Sequence, residues 1–269
     1  MTSRKTFNPI FFFKAICIYI CFLVFPSHSQ SQSCRYQFVW SPWAPYLEGE
    51  SKPRGVQIDL LEWISEEINC QFVYKKMIWA DSISAIKDGT ADIVGRASKT
   101  EDRLAFAHFS KSYRENLMVL YVRRGESKNY RGKTLEELFK EGFVLGVARG
   151  AFYDKQIAYL KAQPRYAKNF VEIDFIEGAI FQPIVGKEVD GIFETVFAMD
   201  FLLLKNAAEQ TIEEYPLEIV TDPLYFMFSK KTVPSSFVET FNGALDKVQR
   251  SEKYRTHWFW SKLPAPKNP

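Results

Sequence analysis

The chain has 269 residues, 46% of them hydrophobic and 25% charged, an ordinary balance for a globular protein of one large domain or two medium ones. Its formal net charge of +3 is carried by Arg4, Lys5 and Lys14; without them 32 basic residues face 32 acidic ones, so no global charge draws the chain to nucleic acid. Only three histidines occur, none in a metal-ligand spacing. No G-x-S-x-G, H-E-x-x-H or phosphate-loop motif occurs either, so no catalytic residue, metal ligand or cofactor is assigned.

Residues 1–29 read as a cleavable secretory signal. A basic start precedes an apolar run from Ala15 to Phe25, then Pro26 and small polar residues, with cleavage after Ser29 or Ser31. The run is about 11 residues, too short for a bilayer, so the mature protein is expected outside the cytoplasm, in the periplasm. A retained anchor is the alternative.

Of four cysteines, Cys17 and Cys21 leave with the signal. Cys34 opens the first predicted strand (36–40) and Cys70 the second (71–75). Neighbouring parallel strands of a β-α-β unit would bring both to one end, within reach of a disulfide. The roughly 37-residue loop so closed would add about 4 kcal/mol in the chain-entropy model. Two buried thiols are the alternative.

Between those strands Ile58, Leu61 and Ile64 recur at helical spacing. A second helix carries Ile83 and Ile86 and stops at Gly89. Strands follow at 91–94 and 117–122, a helix from a Thr134 cap, and a strand at 143–147. Then come a helix near 153–161, a strand at 171–175, a helix at 179–185, a strand at 189–193 and a helix at 196–204. Strands at 218–221 and 225–229 precede helices at 235–249 and 252–259. Alternating strands and helices predict α/β layers, and the pattern runs twice.

The segment from Ser98 to Tyr113 carries the most chemistry. Thr100 suits a helix N-cap, and Glu101 and Asp102 suit the positive end of the dipole. Arg103 does not suit it and needs a partner; a planar guanidinium matches a carboxylate. The residues Thr100-x-x-Arg103 followed by Phe109-Ser110-x-x-Tyr113 resemble a signature of the solute-binding proteins, family 3, that serve amino-acid importers. Pro42–Tyr46, Gly55–Leu61, Trp79 with Ile83 to Ile93, Val144–Gly150 and Gly186–Gly191 resemble further blocks of that family, in its order.

That resemblance implies a two-lobed periplasmic-binding-protein fold (type II), with two doubly wound sheets joined by two crossing strands. Lobe 1 would hold residues 34–115 plus 222–265, and lobe 2 residues 116–221. It implies that Arg103 and Ser98 grip a ligand carboxylate, and that Trp43 and Trp79 wall the pocket, with core packing as the alternative for both tryptophans. Trp40, in line with its strand, is expected to pack in the core. Strand ends in an open α/β sheet also bring Arg96, Arg149 and Glu194 to the cleft. The family holds the α-ammonium of its ligands with an Asp where this chain has Thr195. Three arginines opposed by Glu194 alone suggest an acidic ligand; an ion pair such as Arg149 with Glu194 is the alternative.

The expected partners are a small carboxylate solute and a membrane permease of an ABC importer, with no nucleic acid, and the chain is expected to act as a monomer without catalysis. A sensing subunit, or a dehydratase of the cyclohexadienyl type using Glu194 as base, are the other readings of the same fold.

Overall fold

A β-α-β unit opens the fold, as the apolar spacing requires: β1 (Arg35–Trp40), α1 (Val56–Ile68) and β2 (Gln71–Lys76). The computed structural model describes residues 1–2, 34–50, 52–174 and 180–256. Two units are distinguished, Met1–Gln32 and Ser33–Pro269. The signal read at 1–29 lies outside the described residues apart from Met1 and Thr2, and the elements and the cleft all belong to the second unit. Ile58, Leu60, Leu61 and Ile64 form the buried stripe of α1. Gly55 caps its start at φ 114, and a Cβ there would stand 2.5 Å from the Pro45 carbonyl oxygen. Only glycine lets the 45–46 loop press onto this helix end.

The chain continues through α2 (Trp79–Asp88), β3 (Ile93–Ala97), α3 (Glu101–Leu104), β4 (Ala107–Phe109) and β5 (Arg114–Arg123). Then come α4 (Leu135–Lys140), β6 (Leu145–Ala148), α5 (Lys155–Lys161), β7 (Phe170–Ile173), α6 (Gln182–Val185), β8 (Gly191–Glu194), α7 (Val196–Lys205), β9 (Ile212–Ser229) and α8 (Ser235–Gln249). Residues 252–256 are helical; the rest of the helix read at 252–259, and the start of the one read at 179–185, lie outside the described residues.

The strands run in the order β2-β1-β3-β9-β5-β8-β6-β7, with β4 also on β9. β1 is parallel to β2 and β3, and β6 is parallel to β7 and β8; β9 runs antiparallel to β3, β4 and β5. Each parallel set is covered on both faces. In the first, α1 and α8 supply one core (Leu61, Ile64, Phe241, Leu245) and α2 the other (Ala85, Ile86). In the second, α4 and α5 pack on one side (Leu138, Phe139, Leu160), and α6 and α7 on the other (Ile184, Met199, Leu202). This is the two-lobed, doubly wound α/β architecture that the alternation and the resemblance imply, with β5 and β9 passing between the lobes.

The segments read as separate strands at 218–221 and 225–229 are one 18-residue strand, β9. Thr221 pairs with Asn116 and Leu224 with Arg114, so Asp222 and Pro223 fall at an irregularity of the ladder. A proline without an N–H is accommodated there, and the strand continues into the next sheet. Cys34 and Cys70 form the disulfide expected of adjacent parallel strands, with Cα atoms 4.6 Å apart and Arg35 paired with Gln71 beside them.

Candidate functional site

The carboxyl ends of β1, β3, β6 and β8 converge on a cleft of about 140 Å³ between the two sheets. Ser98, Arg103, Trp43, Trp79 and Arg96 line it from the first lobe, and Arg149, Tyr153, Phe193 and Glu194 from the second. All seven residues assigned to the site from sequence therefore border one cleft.

Arg103 sits in α3, only 7% exposed. Thr100 holds the N-cap position of that helix, but its side chain makes no cap bond. The guanidinium donates from Nη1 to the Ser98 carbonyl at 2.9 Å and from Nη2 to the Gly150 carbonyl, across the cleft, at 3.0 Å. No carboxylate pairs with it among the described residues. Burial lowers its pKa to about 10, which still leaves it a cation at neutral pH. Two neutral acceptors leave that charge uncompensated.

Trp79 indole Nε1 donates to the same Gly150 carbonyl at 3.2 Å, and Ser98 Oγ to the Phe152 carbonyl at 3.2 Å. The opening of the second lobe thus meets the first through main-chain oxygens. Trp79 also lies under two cations, 4.9 Å from the Arg96 guanidinium carbon and 5.8 Å from that of Arg103.

Arg96 occupies a left-handed backbone position, φ 51, where β3 slips register against β9 between Val94 and Ala97. A bulge of this kind re-aims a side chain. The Tyr113 hydroxyl accepts the Arg96 N–H at 2.8 Å, and Ser41 Oγ accepts from Nη2 at 2.8 Å. The guanidinium lies between the rings of Trp43 (5.3 Å) and Trp79. Burial lowers its pKa to about 10, opposed by the charge of Glu194.

Glu194 ends β8 and is 3% exposed. Trp43 Nε1 reaches its two oxygens at 3.1 and 3.2 Å, and the Thr195 N–H donates to Oε1 at 2.7 Å. Burial raises its pKa, while these donors and Arg96 oppose the rise. Trp43 is therefore a donor across the cleft as well as a wall. Thr195 does not face the ligand space as an acid would: its Oγ1 accepts from the Ala198 N–H and caps α7.

Arg149 borders the cleft but is half exposed, with Nε donating to Asp174 at 3.1 and 3.2 Å and Nη1 to Glu172 at 3.2 Å. An ion pair is one of the two sequence readings of this arginine; its partners are these two acids and not Glu194. Trp40, 1% exposed, is core as expected.

Sequence reasoning misses the Gly150 and Phe152 carbonyls, which no residue type signals, and a buried layer beneath Trp43. There Arg114 is 4% exposed and donates from Nη2 to the Tyr46 hydroxyl, with its Nε and Nη1 unpartnered. Its guanidinium carbon lies 3.8 Å from the Tyr46 ring centroid and 5.1 Å from that of Trp43. Two rings around an arginine at the entry of a crossing strand are a constellation only the fold brings together.

Two α/β lobes closing on a cleft with an unmatched buried cation define a small-molecule binding protein of the flytrap type. The chain belongs to the bacterial extracellular solute-binding proteins, family 3, whose model matches residues 39–260. A probable histidine-binding protein of Neisseria gonorrhoeae is 25% identical over 218 residues, 78% of this chain and 76% of that one. An ancestral arginine-binding protein bound to arginine superposes with a TM-score of 0.69 at 20% identity, over 84% of this chain and 97% of that one. A histidine kinase sensor domain with similarity to periplasmic binding proteins superposes equally well (TM-score 0.69, 15% identity, 85% and 95% covered). Family membership places the chain among binders of amino-acid-type or other carboxylate solutes, which capture without chemistry. Among the described residues no helix is long and apolar enough to cross a membrane, and no group of three His, Cys, Asp or Glu could hold a metal.

Proposed function

We propose that the protein captures a small carboxylate-bearing solute in the periplasm and presents it, enclosed between its lobes, to the permease of an ABC importer. In this reading lobe 1 comprises residues 34–115 with 222–265, lobe 2 residues 116–221, and the signal at 1–29 is removed on export. The ligand docks on Arg103 and Ser98 against Trp43 and Trp79, and lobe 2 closes over it. A single observation carries the reading: Arg103 is a buried cation at the lobe junction with carbonyl partners and, among the described residues, no acid. A desolvated guanidinium offers a carboxylate charge-assisted hydrogen bonds worth roughly 1.5–3 kcal/mol each. Closure then follows from the ligand's higher affinity for the closed form.

Support also comes from the relatives, whose names include histidine and arginine binding. The acidic-ligand idea needs three free arginines, but Arg149 is paired with Asp174 and Glu172, and Arg96 is held by Ser41 and between the rings of Trp43 and Trp79. One carboxylate on the ligand suffices to match what remains at Arg103. Mass spectrometry of ligand released by denaturing the protein, followed by calorimetric titration of it into wild type and Arg103→Ala, tests the proposal. Loss of binding in the variant is expected; unchanged affinity rules out the role of Arg103. Likeness to a sensor domain favours a second reading, ligand sensing by a separate subunit, which a growth requirement for uptake of the identified solute would exclude.

A further inference from the structure

The two tryptophans of the cleft hold a cation that the protein itself supplies. Their indole N–H groups are tied, Trp43 to Glu194 at 3.1 and 3.2 Å and Trp79 to the Gly150 carbonyl at 3.2 Å. With those ends fixed, the ring faces are fixed as well. The Arg96 guanidinium carbon lies over both rings, 5.3 Å from the centroid of Trp43 and 4.9 Å from that of Trp79. Its Nη2 donates to Ser41 Oγ at 2.8 Å, and its main-chain N–H to the Tyr113 hydroxyl at 2.8 Å. The residue sits on the β3 bulge at φ 51, a conformation that an arginine adopts only at a cost. What that conformation achieves is to aim this one side chain between the two rings.

An aromatic face attracts a cation through its ring quadrupole, and indole does so best, so paired aromatic faces make a recognition site for organic cations. Here the guest is Arg96. Further cations stand over the same rings, Arg103 at 5.8 Å from Trp79 and Arg114 at 5.1 Å from Trp43. A ligand cation entering the slot would have to displace a tethered one or meet like charges at close range. The tether favours the resident, because a free ligand loses translational and rotational freedom on binding and Arg96 does not. A ligand whose carboxylate docks on Arg103 therefore finds the neighbouring ring slot taken. Its body is directed instead to the lining that includes Met118, Tyr153, Phe193 and Leu224.

We infer that Arg96 is a specificity-determining residue: it fills the slot between Trp43 and Trp79 as a resident guest and so excludes ligands with a flat cationic side chain, a guanidinium or an imidazolium. Selection among ligands rests on the carboxylate grip of Arg103 proposed above; occupancy of the slot does not. The first test therefore uses a probe without a carboxylate. Methylguanidinium chloride is titrated at millimolar concentration into the mature protein and into Arg96→Gly, with sodium chloride at equal ionic strength as the control. Glycine accepts φ 51 without strain. Arg96→Asn, which also tolerates a left-handed backbone, replaces it if circular dichroism shows that the glycine variant does not fold. Indole emission should change saturably in the variant, follow the salt control in wild type, and lose the response when Trp79→Ala is added to Arg96→Gly. Equal responses in variant and wild type, no response in the variant, or a response that survives the loss of Trp79 each overturn the inference.

The second test adds the carboxylate. L-arginine carries an acid group for Arg103 and a flat cation for the slot, and by calorimetry it should bind Arg96→Gly at least tenfold more tightly than wild type. Equal or weaker binding in the variant, or binding to neither protein, overturns the selective role of Arg96 even where methylguanidinium enters the slot. Adding Arg103→Ala to Arg96→Gly separates the two claims. Loss of the gain in that double variant supports grip and slot acting on one ligand. A gain that survives it overturns the Arg103 grip and leaves the slot standing.

Discussion

The two walls of the cleft are built differently. The first lobe contributes side chains with fixed orientation: Arg103 on its short helix, Arg96 on a bulge, and Ser98, Trp43 and Trp79 at strand ends. The second contributes mostly main chain, the Gly150 and Phe152 carbonyls, with Glu194 already engaged and Arg149 turned to its neighbours Asp174 and Glu172. In the proposed reading, the wall of prearranged charge is the docking face. A wall of carbonyls is a cover that can seat on that face with or without cargo, because the same N–H donors serve both.

The largest expected effect tests whether the docking wall depends on its scaffold. The Cys34–Cys70 bond ties the starts of β1 and β2 behind it, closing a loop with a sequence separation of 36. The chain-entropy model gives that loop about 4 kcal/mol. Cys34→Ser with Cys70→Ser should lower the unfolding free energy in urea by about that amount while leaving ligand affinity in the folded protein within a few-fold. A large loss of affinity at full folding would mean that the staple shapes the site and not merely the stability.

Next comes the contrast itself. Arg103→Ala should weaken ligand binding by about 3 kcal/mol, on the order of 100-fold, from the loss of two charged hydrogen bonds at roughly 1.5 kcal/mol each. Calorimetry on the folded variant reads it. A loss below fivefold would leave the docking wall without its anchor.

A third prediction concerns the acid at the lobe junction. The Glu194 carboxyl has its pKa raised from 4.5 by burial. A carboxyl whose pKa is higher in the closed, folded form than in the open or unfolded chain favours that form most below its ordinary pKa. The contribution is lost as pH rises through the elevated value. The apo protein should therefore gain less thermal stability between pH 4.5 and neutrality than Glu194→Gln does, measured as the slope of Tm against pH. Arg96, at about 10, titrates far above this window. Equal slopes would show that Glu194 spends its time in water, with the cleft open.

Legibility follows the same division. Alternation of strands and helices foretells the layers, and the Thr100-x-x-Arg103 spacing singles out a guanidinium that is buried at the cleft, because amphipathic period and a guanidinium in the wrong turn of a helix are properties of residue types. The disulfide is legible because parallel neighbours share an end. The continuity of β9 is not, since Pro223 reads as a break unless the ladder's irregularity is known. Nor are the Gly150 and Phe152 carbonyls, because every residue carries one and only tertiary closure chooses among them. The acid partners of Arg149 are hidden for a related reason: Glu172 and Asp174 sit on the neighbouring strand end, and register alone brings them alongside, with Val147 paired to Glu172.

That register yields the smallest effect and the sharpest check on which arginine matters. Arg149 is about half exposed, and so are its partners: Glu172, which also receives Lys161, and Asp174. Exposed pairs of this kind contribute about 0–1 kcal/mol, because water already solvates both charges and the long side chain loses freedom on pairing. Arg149→Ala should therefore change Tm by no more than about 4 °C and ligand affinity by less than fivefold, in contrast to the loss at Arg103. If the two substitutions instead cost the same affinity, the ligand reaches both walls, and a second acid group on it would have to be drawing Arg149 away from Asp174.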